Sequence, residues 1–169
     1  SVARDDFRDL YQDLLIDHSR ERHGYGVLED PSAESHQRNR SCGDELTLRV
    51  RAEDGTVTAV SWTGQGCAIS QASASMLCDL VDGRTPAECR QRVVRFRTML
   101  QSRGKDDGDD GLLGDAIALA GVSKYPPRIN CAMLAWVGLE DALSQLAGSV
   151  PTGSVPTGPA TPITSENTR

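Results

Sequence analysis

The stretch from Asp44 to Gly66, DELTLRVRAEDGTVTAVSWTGQG, constrains the fold more than any other part of the chain. Leu46, Leu48 and Val50 alternate with polar residues, the two-residue period of a strand with one buried face. Asp54-Gly55 is a favoured hairpin turn. The chain then alternates back through Val57, Ala59 and Trp62, though the phase of this return strand is not clean. Such an antiparallel hairpin lays its apolar face on helices.

The flanking segments supply those helices. Phe7, Leu10, Tyr11, Leu14, Leu15 and His18 fall on one helical face, and Gly24 and Gly26 are expected to stop that helix. An irregular segment follows, with one short strand expected near Ser35 to Arg38. After Gly66 the sequence CAISQASASMLCDLVDG reads as helical. Thr85, Pro86 and Glu88 predict a capped helix start, Thr85 and Glu88 forming a capping box with Pro86 at the first helical position. That helix should run to about Ser102. RGKDDGDDG reads as a solvated acidic loop. Further helices are expected over about Leu112 to Ala120 and about Arg128 to Leu146. The C-terminal segment repeats SVPTG and is rich in Pro, Gly, Ser and Thr, too polar to offset the entropy of ordering. The expectation is therefore an α+β domain over residues 1–147, with a small antiparallel sheet of about three strands packed against about five helices. A disordered low-complexity tail should occupy residues 148–169.

Composition narrows the function. The formal net charge is −6 and aromatic residues make up 4% of the chain. Neither a basic face nor base-stacking platforms are expected, which argues against a nucleic-acid binder. No apolar run approaches the roughly 20 residues of a membrane span, and SVARDDFRDL has no apolar stretch of the signal-peptide kind. The expected location is the cytoplasm. Five cysteines, Cys42, Cys67, Cys78, Cys89 and Cys131, are odd in number and widely spaced. In a reducing compartment this pattern leaves metal binding, thiol chemistry or burial.

Cys42 and Asp44 lie two apart at a strand start, where both side chains point to one side. Thiolate and carboxylate are both zinc ligands. Cys67 follows Gly-Gln-Gly at a strand–helix junction, where unpaired N–H groups favour negative charge and the glycines allow close backbone approach. Cys131 is expected in the first turn of the last helix, with the same consequence. Cys78 lies eleven residues beyond Cys67 on one helix, about 16 Å away at 1.5 Å per residue, so the two cannot share a metal. Cys78 and Cys89 read as buried structural thiols. His18 reads as a satisfied, half-buried histidine, and His23 as a helix-end cation. His36, six residues before Cys42, is a weaker candidate for the same site. From the residues alone two readings stand: a metal site on Cys42, Asp44, Cys67 and Cys131, or a turn cysteine and two buried thiols.

SCGDELTL, TGQGCAISQASASMLCDLV and KYPPRINCAMLAWVGLEDAL together resemble the IscU/NifU-like superfamily, in family order and over nearly the whole folded region. The resemblance implies zinc or cluster ligation by Cys42, Asp44, Cys67 and Cys131. Within the superfamily the chain is similar to the SufU branch. It has Asn130 where IscU-type scaffolds carry a histidine, Arg128 three residues before Cys131, and an extra helical stretch around Thr85 to Asp110. It departs from the family in having Arg40 where proline is more usual. The resemblance implies a zinc-dependent sulfurtransferase that takes persulfide sulfur from a SufS-type, PLP-dependent cysteine desulfurase. Cys42 would be the sulfur acceptor and Arg128 a cation offsetting the thiolates. Iron–sulfur assembly proteins or a thiol reductant would act downstream. The alternative is a scaffold assembling a [2Fe–2S] cluster on the same ligands.

Overall fold

The computed structural model describes residues 2–41 and 43–148, with side chains described from Tyr11 to Ala147 apart from Cys42. Cys42, and the expected tail beyond Gly148, lie outside the described residues. The chain runs through α1 (Val2–Glu21), β1 (Ala33–Asn39), β2 (Asp44–Glu53), β3 (Thr56–Gln65), α2 (Ala68–Val81), α3 (Pro86–Leu100), α4 (Asp110–Leu113), a 3₁₀ helix (Gly114–Lys124) and α5 (Pro126–Gly148). The three strands form one antiparallel sheet in the order β1-β2-β3. The expected α+β architecture is what the chain adopts. No described helix is long and apolar enough to cross a membrane.

The hairpin turns at Asp54-Gly55, both residues at positive φ (53° and 78°), as a tight two-residue turn requires. On β2 the alternation is strict: Leu46, Leu48 and Val50 are buried and the residues between them only partly so. β3 explains its own irregular phase. Arg51 pairs with Ala59 but Ala52 pairs with Val57, so Thr58 is an extra, bulged residue. One extra residue flips the side-chain parity. Val57 faces inward before the bulge, and Val60 and Trp62 face inward after it. Ala59 therefore lies on the side opposite Val60 and Trp62. β1 is longer than the short strand anticipated, spanning Ala33–Asn39, and its last residue pairs with the first of β2 (Asn39 with Asp44).

Helices cover one face of the sheet. α5 lies across β1 and β2, close enough that a Cβ on Gly138 would stand 3.4 Å from Leu48 Cβ. α2 packs between α1 and α5. Its Ser73 hydroxyl donates to the Ala132 carbonyl (2.6 Å) and accepts from Trp136 Nε1 (2.9 Å), so no buried polar group is stranded there. Phe96 stacks on Trp136 with centroids 4.1 Å apart, fixing α3 against α5. Tyr11, Leu14 and Leu15 of α1 pack on this core, as their spacing predicts. The helix stops at Glu21, where Arg22 already adopts positive φ (47°), just ahead of the two glycines.

α3 begins with the predicted capping box at Thr85 and Glu88, with Pro86 in the first turn. Two expectations beyond it are corrected. The acidic loop is a structured connector rather than a merely solvated turn. Arg95 donates two bonds to Asp106 (2.6 and 2.9 Å), Asp106 accepts from Gly108 N–H, and Asp109 caps α4. The helix anticipated over Leu112 to Ala120 is one turn of α-helix followed by eleven residues of 3₁₀ helix. Gly114, at positive φ (50°), ends the α-helical turn.

Candidate metal centre

Hairpin register builds the first half of the site. Glu45 pairs with Gln65, so Asp44 at the start of β2 faces the residues that leave β3. Two glycines make this approach possible. A Cβ on Gly64 would stand 2.3 Å from the Glu45 carbonyl oxygen; one on Gly66 would stand 2.4 Å from Ser70 Oγ and 2.8 Å from Asp44 Cγ. Each is well inside van der Waals contact, so any larger residue would push the β2 start away from Cys67. The glycines flanking Gln65 are thus steric requirements of the site, as the sequence reading anticipated.

Cys67 is the N-cap of α2 and its side chain caps no backbone N–H, which leaves the sulfur to face Asp44. Asp44 Oδ1 accepts the Cys67 backbone N–H (3.1 Å), and Oδ2 lies 3.5 Å from Cys67 Sγ. Ser70, one turn on, donates to the Cys67 carbonyl (3.0 Å), and its Oγ stands 4.0 Å from Cys67 Sγ. Asp44 is only 3% exposed, and a buried carboxylate requires compensating partners or a cation.

α5 supplies the other half. Because it packs over β1 and β2, it brings Cys131 onto Asn39, whose Nδ2 lies 3.7 Å from Cys131 Sγ. Asn39 also organises the β1–β2 connection: its Oδ1 accepts from Ser41 N–H (3.1 Å) and its carbonyl from Gly43 N–H (2.8 Å). Gly43 holds a left-handed conformation (φ 77°). The outcome is a compact donor set in which ligand atoms of Asp44, Cys67 and Cys131 all lie within 4.8 Å of one another. Three of the four residues singled out from the sequence are therefore together; the fourth, Cys42, lies outside the described residues. Cys131 sits in the second turn of α5, not the first, because the helix starts at Pro126. Its sulfur lies 3.9 Å from the Pro127 carbonyl oxygen, so the helix-terminus argument made for it does not apply.

The donor set fits a tetrahedral metal. Zn–S bonds of about 2.3 Å and a Zn–O bond of about 2.0 Å, at tetrahedral angles, place sulfur and oxygen about 3.5 Å apart. Cys67 Sγ and Asp44 Oδ2 already stand at that distance.

The other candidates lie elsewhere. Arg128 is exposed in the first turn of α5, and its side chain makes no hydrogen bond or ion pair among the described residues. His36 bonds Thr47 Oγ1 (2.9 Å) and pairs with Glu45 (3.3 Å). Cys78 and Cys89 are buried, and burial pushes their thiols up to about 12 and about 11, the inert structural role expected of them. Asn39 and Ser70 were missed. Their only sequence signal is position: Asn39 ends β1 opposite Asp44, and Ser70 lies one turn after a capping cysteine.

The model of the NifU-like N-terminal domain matches residues 10–145. The chain belongs to this family. It is 37% identical over 139 residues to the zinc-dependent sulfurtransferase SufU of Bacillus subtilis, covering 82% of this chain and 92% of that one. It is 33% identical over 141 residues to the iron–sulfur cluster assembly scaffold protein IscU of Thermotoga maritima, covering 83% and 97%. Among solved structures it resembles a Fervidobacterium islandicum SufU assigned as a scaffold for the SUF system, with a TM-score of 0.68, 33% identity, and coverage of 77% and 93%. The N-terminal NifU-like protein of Brucella abortus shares the fold, with a TM-score of 0.77 at 24% identity over 85% and 99%. The NifU-like fold thus carries the donor set at one end of its sheet, where β2, α2 and α5 meet.

Proposed function

We propose that this NifU-like chain is a zinc-dependent sulfurtransferase of iron–sulfur cluster assembly, taking persulfide sulfur from a SufS-type cysteine desulfurase. The observation that carries the reading is the convergence of Asp44, Cys67 and Cys131. The identity to the Bacillus SufU supports it. So does Asn130 in place of the histidine expected of IscU-type scaffolds.

Cys42, Asp44, Cys67 and Cys131 would hold the zinc. When bound, it keeps the cysteines deprotonated and templates their arrangement. The remaining chemistry belongs to the chain. Cys67 and Cys131 are carried on helices, while Cys42 precedes Gly43, whose left-handed backbone has open space around it. In this reading Cys42 is the sulfur acceptor, the role that the family resemblance implies. Its thiolate attacks the outer sulfur of the desulfurase persulfide; a new S–S bond forms, the old one breaks, and the desulfurase cysteine leaves as thiolate. In this reading Arg128, in the first turn of the helix that bears Cys131, would supply positive charge to offset the thiolates. The sulfur passes on to assembly proteins or to a thiol reductant.

The IscU relatives favour a second reading, a [2Fe–2S] scaffold on the same ligands. One experiment separates the two. A SufS-type desulfurase is assayed with a thiol reductant and catalytic amounts of the zinc-loaded protein. Many sulfurs turned over per zinc protein, abolished by Cys42→Ala, are expected. No stimulation, with a stable cluster formed on the metal-free chain by iron and sulfide, would establish the scaffold instead.

A further inference from the structure

A second group of metal-ligating side chains lies at the junction of α1, α2 and the 3₁₀ helix. His18 lies in the last turn of α1, His23 follows that helix, and Asp79 projects from the last turn of α2. Their ligand atoms all lie within 4.8 Å of one another.

How the four ring nitrogens are used distinguishes this group from an ordinary hydrogen-bonded latch. His18 Nε2 bonds Asp115 Oδ2 (3.0 Å), and His23 Nε2 bonds Glu21 Oε1 (2.8 Å). Each ring thus has one nitrogen held by an outer carboxylate. The Nδ1 atoms turn instead toward α2. His18 Nδ1 meets Ser75 Oγ (2.7 Å), and His23 Nδ1 meets Asp79 Oδ2 (2.7 Å). Ser75 and Asp79 are one helical turn apart, and Ser75 Oγ also accepts the His23 backbone N–H (2.9 Å). A carboxylate on the Nε2 of each ring, with His23 Nδ1 on Asp79 and His18 Nδ1 on the neighbouring Ser75, is the outer-shell pattern that orients metal-bound histidines. His18 is buried and pre-positioned, whereas His23 and Asp79 are partly exposed and leave a way in from solvent.

We propose that His18, His23 and Asp79 form a second divalent-metal site, separate from the cysteine centre. Two imidazoles and a carboxylate suit zinc and its borderline neighbours nickel and copper(II), not magnesium or calcium. The metal takes the place of the proton between His23 Nδ1 and Asp79. That proton is released, and the Asp115 and Glu21 bonds persist. His18 Nδ1 exchanges its Ser75 bond for the metal, and the Ser75 hydroxyl turns to a carbonyl one turn back on α2, a bond serines make readily within helices. The bound ion ties the end of α1 to α2 independently of any sulfur chemistry, so the site does not rest on the proposed transferase activity.

The test uses the full chain with one equivalent of zinc already bound, titrated with further Zn²⁺. Histidine ring resonances and calorimetry are recorded together. The chain has three histidines, so His36 serves as an internal control. The expected result is a second equivalent that shifts the rings of His18 and His23 but not His36, with proton release to the buffer. His23→Gln and Asp79→Asn, both at partly exposed positions, should each weaken that event at least tenfold, leaving the first equivalent unchanged. No second event up to about 1 mM zinc would overturn the proposal. So would a second event that survives both substitutions.

Discussion

Gly66→Ala tests the centre without replacing a ligand. The added methyl would meet three atoms: Ser70 Oγ at 2.4 Å, Asp44 Cγ at 2.8 Å and Asp44 Oδ1 at 2.9 Å. The serine hydroxyl can rotate away, losing its bond to the Cys67 carbonyl. The aspartate has less freedom, because Oδ1 is held by the Cys67 N–H. Ordinary contact begins near 3.4 Å, so the carboxylate must retreat by about 0.6 Å. A metal ligand tolerates only about 0.2 Å of displacement. Zinc affinity should therefore fall by about 10- to 100-fold, the range seen when groups supporting a ligand are disturbed. That corresponds to about 1.4–2.7 kcal/mol. The metal-free chain should lose about 1–3 kcal/mol as well, from overpacking. Competition against a coloured chelator gives the affinity, and urea unfolding gives the stability. Gly121→Ala is the control, since a Cβ there meets nothing within 4 Å. Unchanged zinc affinity in Gly66→Ala would refute the claim that the placement of Asp44 matters to the metal.

Three further outcomes follow from the packing. Gly24 combines positive φ (77°) with a Cβ position 2.5 Å from Cys78 Sγ, so Gly24→Ala should cost about 2–4 kcal/mol. Adding Cys78→Ala should recover at least about 1 kcal/mol in a double-mutant cycle, and strictly additive effects would count against the clash. Thr85→Ala removes the α3 capping box and should cost about 1 kcal/mol in denaturant unfolding, with Thr85→Ser close to neutral. The Arg95 guanidinium, with help from the Gly108 N–H, holds the Asp106 carboxyl below its ordinary value. Its stabilisation is complete above the unfolded value of about 3.9 and is lost as pH falls through the lower folded value. The stability gap between the wild type and Asp106→Asn should close over that acid window and stay constant from pH 5 to 7.

What the sequence showed and what it hid divide along one physical line. Features set by neighbours in the chain were legible: the Asp54-Gly55 turn, the Thr85 cap, the inward face of β2. Features set by partners far along the chain were not. The phase of β3 is one case. Its pattern looked irregular because a bulge at Thr58 reverses which side chains face inward, and a bulge is a property of two strands together. The 3₁₀ helix is another. GDAIALA reads as helical, but the segment runs as 3₁₀ helix packed against α1, α2, α3 and α5, and local propensity does not carry those distant contacts.

The same division runs through the two ligand clusters. Cys67 was visible because it follows two glycines at a strand–helix junction, and Asp44 because it opens a strand two residues after Cys42, whereas Cys131 was singled out on a helix-terminus argument that its place in the second turn of α5 does not bear out. Asn39, which lies against Cys131, is a common turn residue, and its role depends on the register that sets it opposite Asp44. The histidine cluster was hidden in another way. His18 and His23 are five residues apart with a helix end between them, so no helical period links them, and Asp79 lies 56 residues from His23. Their meeting depends on how α1 crosses α2. Close packing at Gly24 sets that crossing, because a side chain there would strike Cys78 in the turn of α2 that also carries Ser75 and Asp79. The double-mutant cycle at Gly24 and Cys78 and the zinc titration of His23 therefore probe one junction from its two sides. If Gly24→Ala lifts the segment after α1 off α2, the second zinc equivalent should weaken together with stability, and Cys78→Ala should restore part of both. Stability that falls while the second equivalent binds unchanged would show that the histidines do not depend on that crossing.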